Sequence, residues 1–137
     1  RIPYLNVLAH LNIADGIFIL GSTEPHYTPS KVYQGVLSGK PLLAELHSAS
    51  TAREVLEKAG AGIVLAFDGE KGLAKITTSF DKIFEEYRIY MQGYSADIID
   101  MKIFDQYSAY NLTGILADLL NQVFNNTVAG QRYEQRL

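Results

Sequence analysis

One polar stretch of this sequence combines the residue types that bind anions. Gly21 and Ser22 begin the stretch, and Thr28, Ser30 and Lys31 follow within it. Backbone amides near a glycine, side-chain hydroxyls and a lysine ammonium group all interact favourably with phosphate or carboxylate oxygens. The spacing predicts a loop that could hold a phosphate group.

The sequence on either side of this loop predicts a strand, a helix and a second strand. The apolar run 16–20 is typical of a buried strand, and a second apolar run, 41–46, follows a short helix. We expect Thr28 to cap that helix, Pro29 to take its first position and Gly39 to end it. In such a βαβ unit the helix begins at the carboxyl end of the first strand. Unpaired amides and the helix dipole favour a phosphate there.

The rest of the chain continues the alternation of helices and strands. A capping-box pattern, Thr51 to Glu54, predicts the start of the next helix. The other predicted elements are helices over 5–13, 70–78, 80–94 and 110–124 and a strand over 61–67. This order predicts an α/β fold with a parallel sheet.

The composition excludes several classes of function. The formal net charge of the 137 residues is −3, which argues against a broad nucleic-acid-binding surface. The absence of cysteine excludes disulfides and thiol catalysis, and the three scattered histidines do not indicate a metal site. We therefore expect neither a metal nor a cofactor. No apolar run approaches the roughly 20 residues of a membrane span, and no signal-peptide pattern is present, so we expect a cytoplasmic location.

Several short motifs occur in an order that is informative when they are taken together. They are Arg1-Ile2-Pro3-Tyr4, Ala14-Asp15, Gly21-Ser22, Ser30-Lys31-Val32-Tyr33, Gly39-Lys40-Pro41 and Gly60-Ala61-Gly62. This series resembles the C-terminal, donor-binding domain of GT-B fold glycosyltransferases of the retaining group 1 type. The similarity covers about residues 1–67.

The resemblance implies a Rossmann-like sheet that binds a nucleoside-diphosphate sugar at the carboxyl ends of its strands. Together with the helix start described above, it predicts donor contacts at Gly21, Ser22, Thr28, Ser30 and Lys31. It also implies that residues 1–137 are one partial domain of a larger enzyme, inactive alone. The missing parts would be one or two upstream βα units and an N-terminal acceptor-binding domain across a cleft.

Two positions depart from the pattern of this family. Many members have two glutamates eight positions apart, the first near the donor sugar and the second on the ribose hydroxyls. Here these positions are occupied by His26 and Gln34. The resemblance thus assigns the catalytic position to His26 and ribose binding to Gln34. A glutamine can still hydrogen-bond a ribose diol without a carboxylate charge, whereas a histidine cannot play a carboxylate's role.

Simpler interpretations of the same residues stay open. Thr28 and Ser30 are also typical helix caps, and Lys31, Gln34 and His26 are also typical surface residues. The alternative function is a non-catalytic Rossmann-like or flavodoxin-like module that binds a protein partner. The last predicted helix has a broad apolar face, and that face would favour self-association if it were left uncovered.

Overall fold

The computed structural model describes residues 2–134, and its side chains are described for residues 2–126. The elements are α1 (Tyr4–Ile13), β1 (Ile17–Leu20), α2 (Lys31–Leu37), β2 (Leu42–His47), α3 (Thr51–Ala59), β3 (Ile63–Phe67), α4 (Gly69–Gln92), α5 (Met101–Phe104) and α6 (Ala109–Glu134). Two short 3-10 turns, Ala96–Ile98 and Asp105–Tyr107, lie between α4 and α6.

Two compact units make up the described chain, one within residues 2–101 and one within residues 102–134. The first contains the sheet and α1 to α4, and the second contains α6. The expectation of one partial domain stays a prediction, because the compactness of each unit does not decide how the whole protein is divided.

The sheet has three strands in the order β1-β2-β3, and both pairings are parallel. Ile17 lies opposite Leu42, and Leu43 lies opposite Ile63. Because β2 is paired on both sides, its apolar side chains are the most deeply buried of the sheet; Leu42, Leu43, Ala44 and Leu46 are at most 3% exposed. The α/β fold with a Rossmann-like parallel sheet, flanked by helices, is confirmed.

The helices cover both faces of this sheet. On one face α2 approaches so closely that a Cβ on Gly35 would lie 2.8 Å from Leu42 Cδ1. On the other face Phe80 of α4 makes an edge-on ring contact with Phe18, at 6.4 Å between centroids. Neighbouring residues of a strand point to opposite faces, so β1 contributes Ile17 to the first layer and Phe18 to the second.

The structure corrects one prediction about helix number. The helices expected over 70–78 and 80–94 are a single helix, α4, which runs from Gly69 to Gln92. No proline interrupts this span, and no glycine lies between Leu73 and Gln92, so the backbone hydrogen bonds continue through it. Gly93 follows its end, as the sequence indicates.

The first and last helices are more exposed than the helices beside the sheet. No residue of α1 is buried, and the described apolar side chains of α6 are exposed. Across residues 2–134, no helix is both long and apolar enough to cross a bilayer.

Two tyrosines of α4 and one in the turn after it have buried hydroxyls. These hydroxyls differ in whether they have a hydrogen-bond partner. The Tyr87 hydroxyl donates to the Pro41 carbonyl oxygen at 2.9 Å and is buried. Within the described chain, the buried hydroxyls of Tyr90 and Tyr94 have no hydrogen-bond partner. Tyr87 therefore ties α4 to the start of β2, whereas the other two hydroxyls carry an unrecovered desolvation cost.

We predict that Tyr87→Phe lowers the free energy of unfolding by about 0.5–1.5 kcal/mol, because one intramolecular hydrogen bond is lost. Tyr90→Phe is the matched control and should leave this free energy unchanged or raise it, since its hydroxyl has no partner to lose. Urea unfolding of both variants measures the difference. Equal losses in the two variants would contradict the assignment.

A second prediction concerns alkaline pH. Burial raises the pKa of Tyr90 to about 12, above its ordinary value of 10.0. The folded state therefore keeps a proton that the unfolded state releases between these values. The free energy of unfolding therefore keeps its full value below pH 10 and falls as the pH rises through about 12, where Tyr90 loses its proton in the folded state as well. We expect the Tm to fall over this interval, and to fall less in Tyr90→Phe. Parallel Tm curves for the two proteins would count against this.

Candidate functional site

The candidate site lies at the edge of the sheet where the three parallel strands end. Because the strands are parallel, Leu20, His47 and Phe67 terminate at the same edge. The segments 21–30 and 48–50 leave the sheet there. Ligands of open α/β sheets bind in crevices outside the carboxyl ends of the strands.

The first two predicted residues serve the loop itself. The Gly21 amide donates to the Glu45 carbonyl oxygen at 2.8 Å, and a Cβ at Gly21 would lie 2.8 Å from the same oxygen. Glycine is needed there for close packing against β2. The Ser22 hydroxyl accepts a hydrogen bond from the Glu24 amide at 3.2 Å, which fixes a local turn.

Thr28 does not cap α2, contrary to the expectation from sequence. Its hydroxyl is hydrogen-bonded to the Thr51 hydroxyl at 2.7 Å, and α2 begins at Lys31 rather than at Pro29. The Val32 amide donates to the Pro29 carbonyl oxygen, so a tight turn precedes the helix. The reason is tertiary: Pro29 is buried, and Thr28 lies within reach of the start of α3.

The capping box predicted at Thr51 is also wrong. The residue before α3 is Ser50, and its buried hydroxyl donates to the Tyr27 carbonyl oxygen at 3.1 Å instead of capping its own helix. Glu54 forms an ion pair with Lys58, and the hydrogen bond from Lys58 lowers the pKa of Glu54. Two hydrogen bonds, one between the Thr28 and Thr51 hydroxyls and one from Ser50 to the Tyr27 carbonyl, therefore hold the end of loop 21–30 against the start of α3.

Three predicted residues lie on the exposed surface. His26 lies in a turn of the loop, and Ser30 and Lys31 lie at the start of α2. The Ser30 side chain makes no capping hydrogen bond, and Ser30 already has helical backbone angles. These three side chains are accessible to a ligand in solution, whereas the Thr28 and Ser22 hydroxyls are engaged within the chain.

Gln34 is partly buried and lines a groove between α1 and α2. Its Nε2 lies 3.4 Å from the Tyr4 hydroxyl oxygen, and its Oε1 is buried without a hydrogen-bond partner in the described chain. The α1–α2 groove has a volume of about 300 Å³ and is lined by Tyr4, Leu8, Leu11, Asn12, Gln34, Leu37 and Ser38. Arg1, which belongs to the first motif of the resemblance, lies outside the described residues.

A second cleft contains residues that the sequence analysis did not select. Lys71 and Lys75, one turn apart on α4, line a space of about 240 Å³ beside Ser48 and Asp68. The Ser48 hydroxyl lies 3.5 Å from Asp68 Oδ1, at the long limit of a hydrogen bond. The pattern in the sequence that could have indicated this cleft is the i,i+4 spacing of two lysines in the first turns of the helix after a strand. The carboxylate of Asp68 opposes anion binding in this cleft.

A third cleft, of about 320 Å³, lies beside Ser48, Arg53 and Glu57. Arg53 Nε donates to Glu57 Oε1 at 2.8 Å, and this hydrogen bond raises the pKa of Arg53. Arg53 Nη1 donates to the Ser48 carbonyl oxygen at 2.7 Å. The guanidinium group is thus held by partners within the chain.

The structure brings some of the predicted residues together and separates others. Lys31 and Gln34 are three positions apart on α2 and share one side of that helix. His26 lies in the loop before this helix, and Gly21 is built into the sheet edge. Within residues 2–134, no group of three or more histidine, aspartate or glutamate side chains could hold a metal ion. The assignment of these residues to donor binding stays a prediction.

Comparison of the chain with protein-family models, with curated proteins and with solved structures finds no match.

The anchoring of loop 21–30 gives a prediction about stability. Ser50→Ala should lower the free energy of unfolding by about 0.5–1.5 kcal/mol, because the hydrogen bond to the Tyr27 carbonyl is lost. Ser30→Ala is the matched control; with no capping bond to lose, it should stay within about 0.5 kcal/mol of the wild type. Urea unfolding measures both. A cost at Ser30 that equals or exceeds the cost at Ser50 would show that Ser30 caps α2 after all.

Proposed function

We propose that this chain is the donor-binding part of a glycosyltransferase and that it binds a nucleoside-diphosphate sugar alongside α2, with the diphosphate towards the carboxyl edge of the sheet. In this proposal the nucleoside occupies the α1–α2 groove, and the diphosphate lies at the start of α2. The single observation that carries the proposal is the unsatisfied amide of Gln34 in that groove.

The Gln34 amide offers a hydrogen bond that the chain itself does not use. If the amide is turned by 180°, its oxygen can accept from the Tyr4 hydroxyl, but the nitrogen then lacks an acceptor. Either orientation leaves one polar atom without a partner, at a cost of about 1–3 kcal/mol. A ribose diol can both donate and accept, so it would satisfy this atom once the Gln34 side chain turns it towards the groove.

The walls of the groove suit the flat, partly apolar body of a nucleoside. Tyr4 presents an aromatic ring, and Leu8, Leu11 and Leu37 supply apolar surface. A volume of about 300 Å³ is at the lower end of the range for small-ligand pockets. The groove would therefore hold the nucleoside, and the phosphates would extend beyond it.

The start of α2 lies close enough to receive those phosphates. Lys31 precedes Gln34 by three residues, which is about 4.5 Å along the helix axis. Lys31 and Ser30 are both exposed, and neither of them lines the groove itself. Charge that develops on a departing diphosphate would be stabilised there, and such preorganised contacts are worth about 3–4 kcal/mol in other enzymes.

His26 would act at the sugar end of the donor. It lies in the exposed loop before α2, eight positions before Gln34. A histidine there can donate a hydrogen bond to a sugar hydroxyl or a phosphate oxygen. Since it cannot supply a carboxylate's charge, the proposal gives it a binding role and leaves the diphosphate contacts as the main source of rate acceleration.

An open sheet edge is compatible with a larger catalytic protein. β1 is paired with β2 on one side, and no strand of the described chain pairs with its other side. Phe18 and Leu20 of this strand are also exposed. Upstream βα units would extend the sheet at β1, and an acceptor-binding domain would complete the cleft.

One observation favours the alternative of a non-catalytic, partner-binding module. The hydroxyls of Ser22, Thr28 and Ser50 are all used in hydrogen bonds that shape the loop. Hydroxyls that are satisfied in this way fix the path of the loop without a ligand. Ligand titration separates the two functions.

The proposal predicts saturable binding of uridine, guanosine or adenosine diphosphate, measured by isothermal titration calorimetry. Lys31→Glu should weaken the diphosphate at least tenfold, because it replaces a cation by an anion beside the phosphates. Lys82→Glu, the same charge reversal at an exposed site on α4, is the control and should change little. The same titrations with a longer product of the gene measure what upstream units add.

Substitutions at Gln34 test the placement of the nucleoside in the α1–α2 groove directly. Gln34→Leu should weaken the nucleoside and its diphosphate by the same factor, since it removes the ribose contact from both. Gln34→Glu should preserve or strengthen binding, because a carboxylate accepts two hydrogen bonds from a ribose diol. Binding that is equally strong in wild type and Gln34→Leu would contradict the placement of the nucleoside. Absence of diphosphate binding in the longer product would contradict the function.

A further inference from the structure

The helix α6 displays a continuous apolar surface that the donor-binding proposal does not use. We call it the α6 stripe; its six side chains are Leu112, Ile115, Leu116, Leu119, Leu120 and Val123. Each of them is between 51% and 64% exposed. A contiguous exposed apolar patch on a soluble domain commonly marks an interaction surface.

The chemistry around the stripe favours contact with an uncharged surface. Between residues 109 and 126 the charged side chain is Asp118, and at 100° per residue it falls outside the stripe, on the flank beside Ile115. Gly114 and Asn121 lie on the far side of the helix from the stripe. Two stripes can therefore approach each other without bringing like charges together.

The spacing of the stripe is symmetric about the midpoint between Ala117 and Asp118. Reversing the order of the residues exchanges Leu112 with Val123, Ile115 with Leu120, and Leu116 with Leu119. When two copies of this helix run antiparallel about that midpoint, each stripe side chain lies opposite another stripe side chain. Self-complementarity of this kind is what a two-fold symmetric interface requires.

We propose that the α6 stripe is a homodimer interface in which α6 packs antiparallel against α6 of a second copy of this chain. At roughly 60–120 Å² of apolar surface per fully exposed side chain, six side chains that are a little over half exposed would bury about 200–400 Å² per copy. A standard interface buries about 800 Å² per partner, so the dimer is weak and reversible. It forms at high protein concentration and dissociates on dilution.

Sedimentation equilibrium over a wide concentration range tests the dimer. The wild type should change from monomer to dimer as its concentration rises into the micromolar range and above. Leu119→Lys should shift this transition to at least tenfold higher concentration, because it places a charge at the centre of the interface. Asn121→Lys, which introduces the same charge on the far side of α6, should leave the transition where it is. Circular dichroism confirms that both variants keep their helices.

Disulfide cross-linking tests the antiparallel direction. Because the sequence contains no cysteine, only the introduced cysteines can form disulfides. Leu112→Cys mixed with Val123→Cys should give a heterodimer, since these positions face each other. Leu112→Cys alone should not cross-link, because its two copies would be eleven residues apart along the helices, about 16 Å.

Three results would overturn the proposal. The first is a wild type that stays monomeric at all concentrations, as it would if another part of the same chain covered the stripe. The second is a dimer that Leu119→Lys does not weaken. The third is efficient cross-linking of Leu112→Cys with itself, which would require parallel helices.

Discussion

The burial of β2 between two parallel neighbours is the constraint on which the first unit depends. Its backbone hydrogen bonds are used on both sides, and its apolar side chains are nearly inaccessible. Such a strand is stable only if helices cover both faces of the sheet. The close approach of α2 at Gly35 and the hydrogen bond from Tyr87 to Pro41 are consequences of that requirement.

The same constraint shapes the candidate site. Parallel strands deliver their loops to one edge, and the chain must hold those loops in place before they can bind anything. Thr28, Thr51 and Ser50 do this by hydrogen bonds between loop 21–30 and the start of α3. The polar groups left for a ligand are those that the anchoring does not use. These groups include the exposed side chains of His26, Ser30 and Lys31 and the partly buried amide of Gln34 in the α1–α2 groove.

In the second unit, local hydrogen bonds fix the start of α6. Ser108 caps α6 by accepting a hydrogen bond from the Asn111 amide, and Asn111 Nδ2 donates to the Asp105 carbonyl oxygen at 2.6 Å. These local bonds set where the helix begins, and its length of 26 residues carries it past the end of the stripe. Local capping forms the helix, but burial of its apolar side requires another surface.

The sequence by itself determined the order of strands and helices, the parallel sheet and the apolar side of α6. These features follow from periodicity, and periodicity is a property of neighbouring residues. Gly39 and Gly60 were also predictable as helix ends, because both have the positive φ angles that glycine tolerates best.

Only the tertiary structure decided what each polar side chain does. A hydroxyl near a helix start can cap that helix or bond a distant loop, and sequence spacing cannot separate these choices. For Thr28 the deciding partner, Thr51, is 23 positions away. The unsatisfied amide of Gln34 and the cleft beside Lys71 and Lys75 likewise depend on which elements pack side by side. Contacts between segments that are far apart in the chain decided these roles, because hydrogen bonding depends on distance in space.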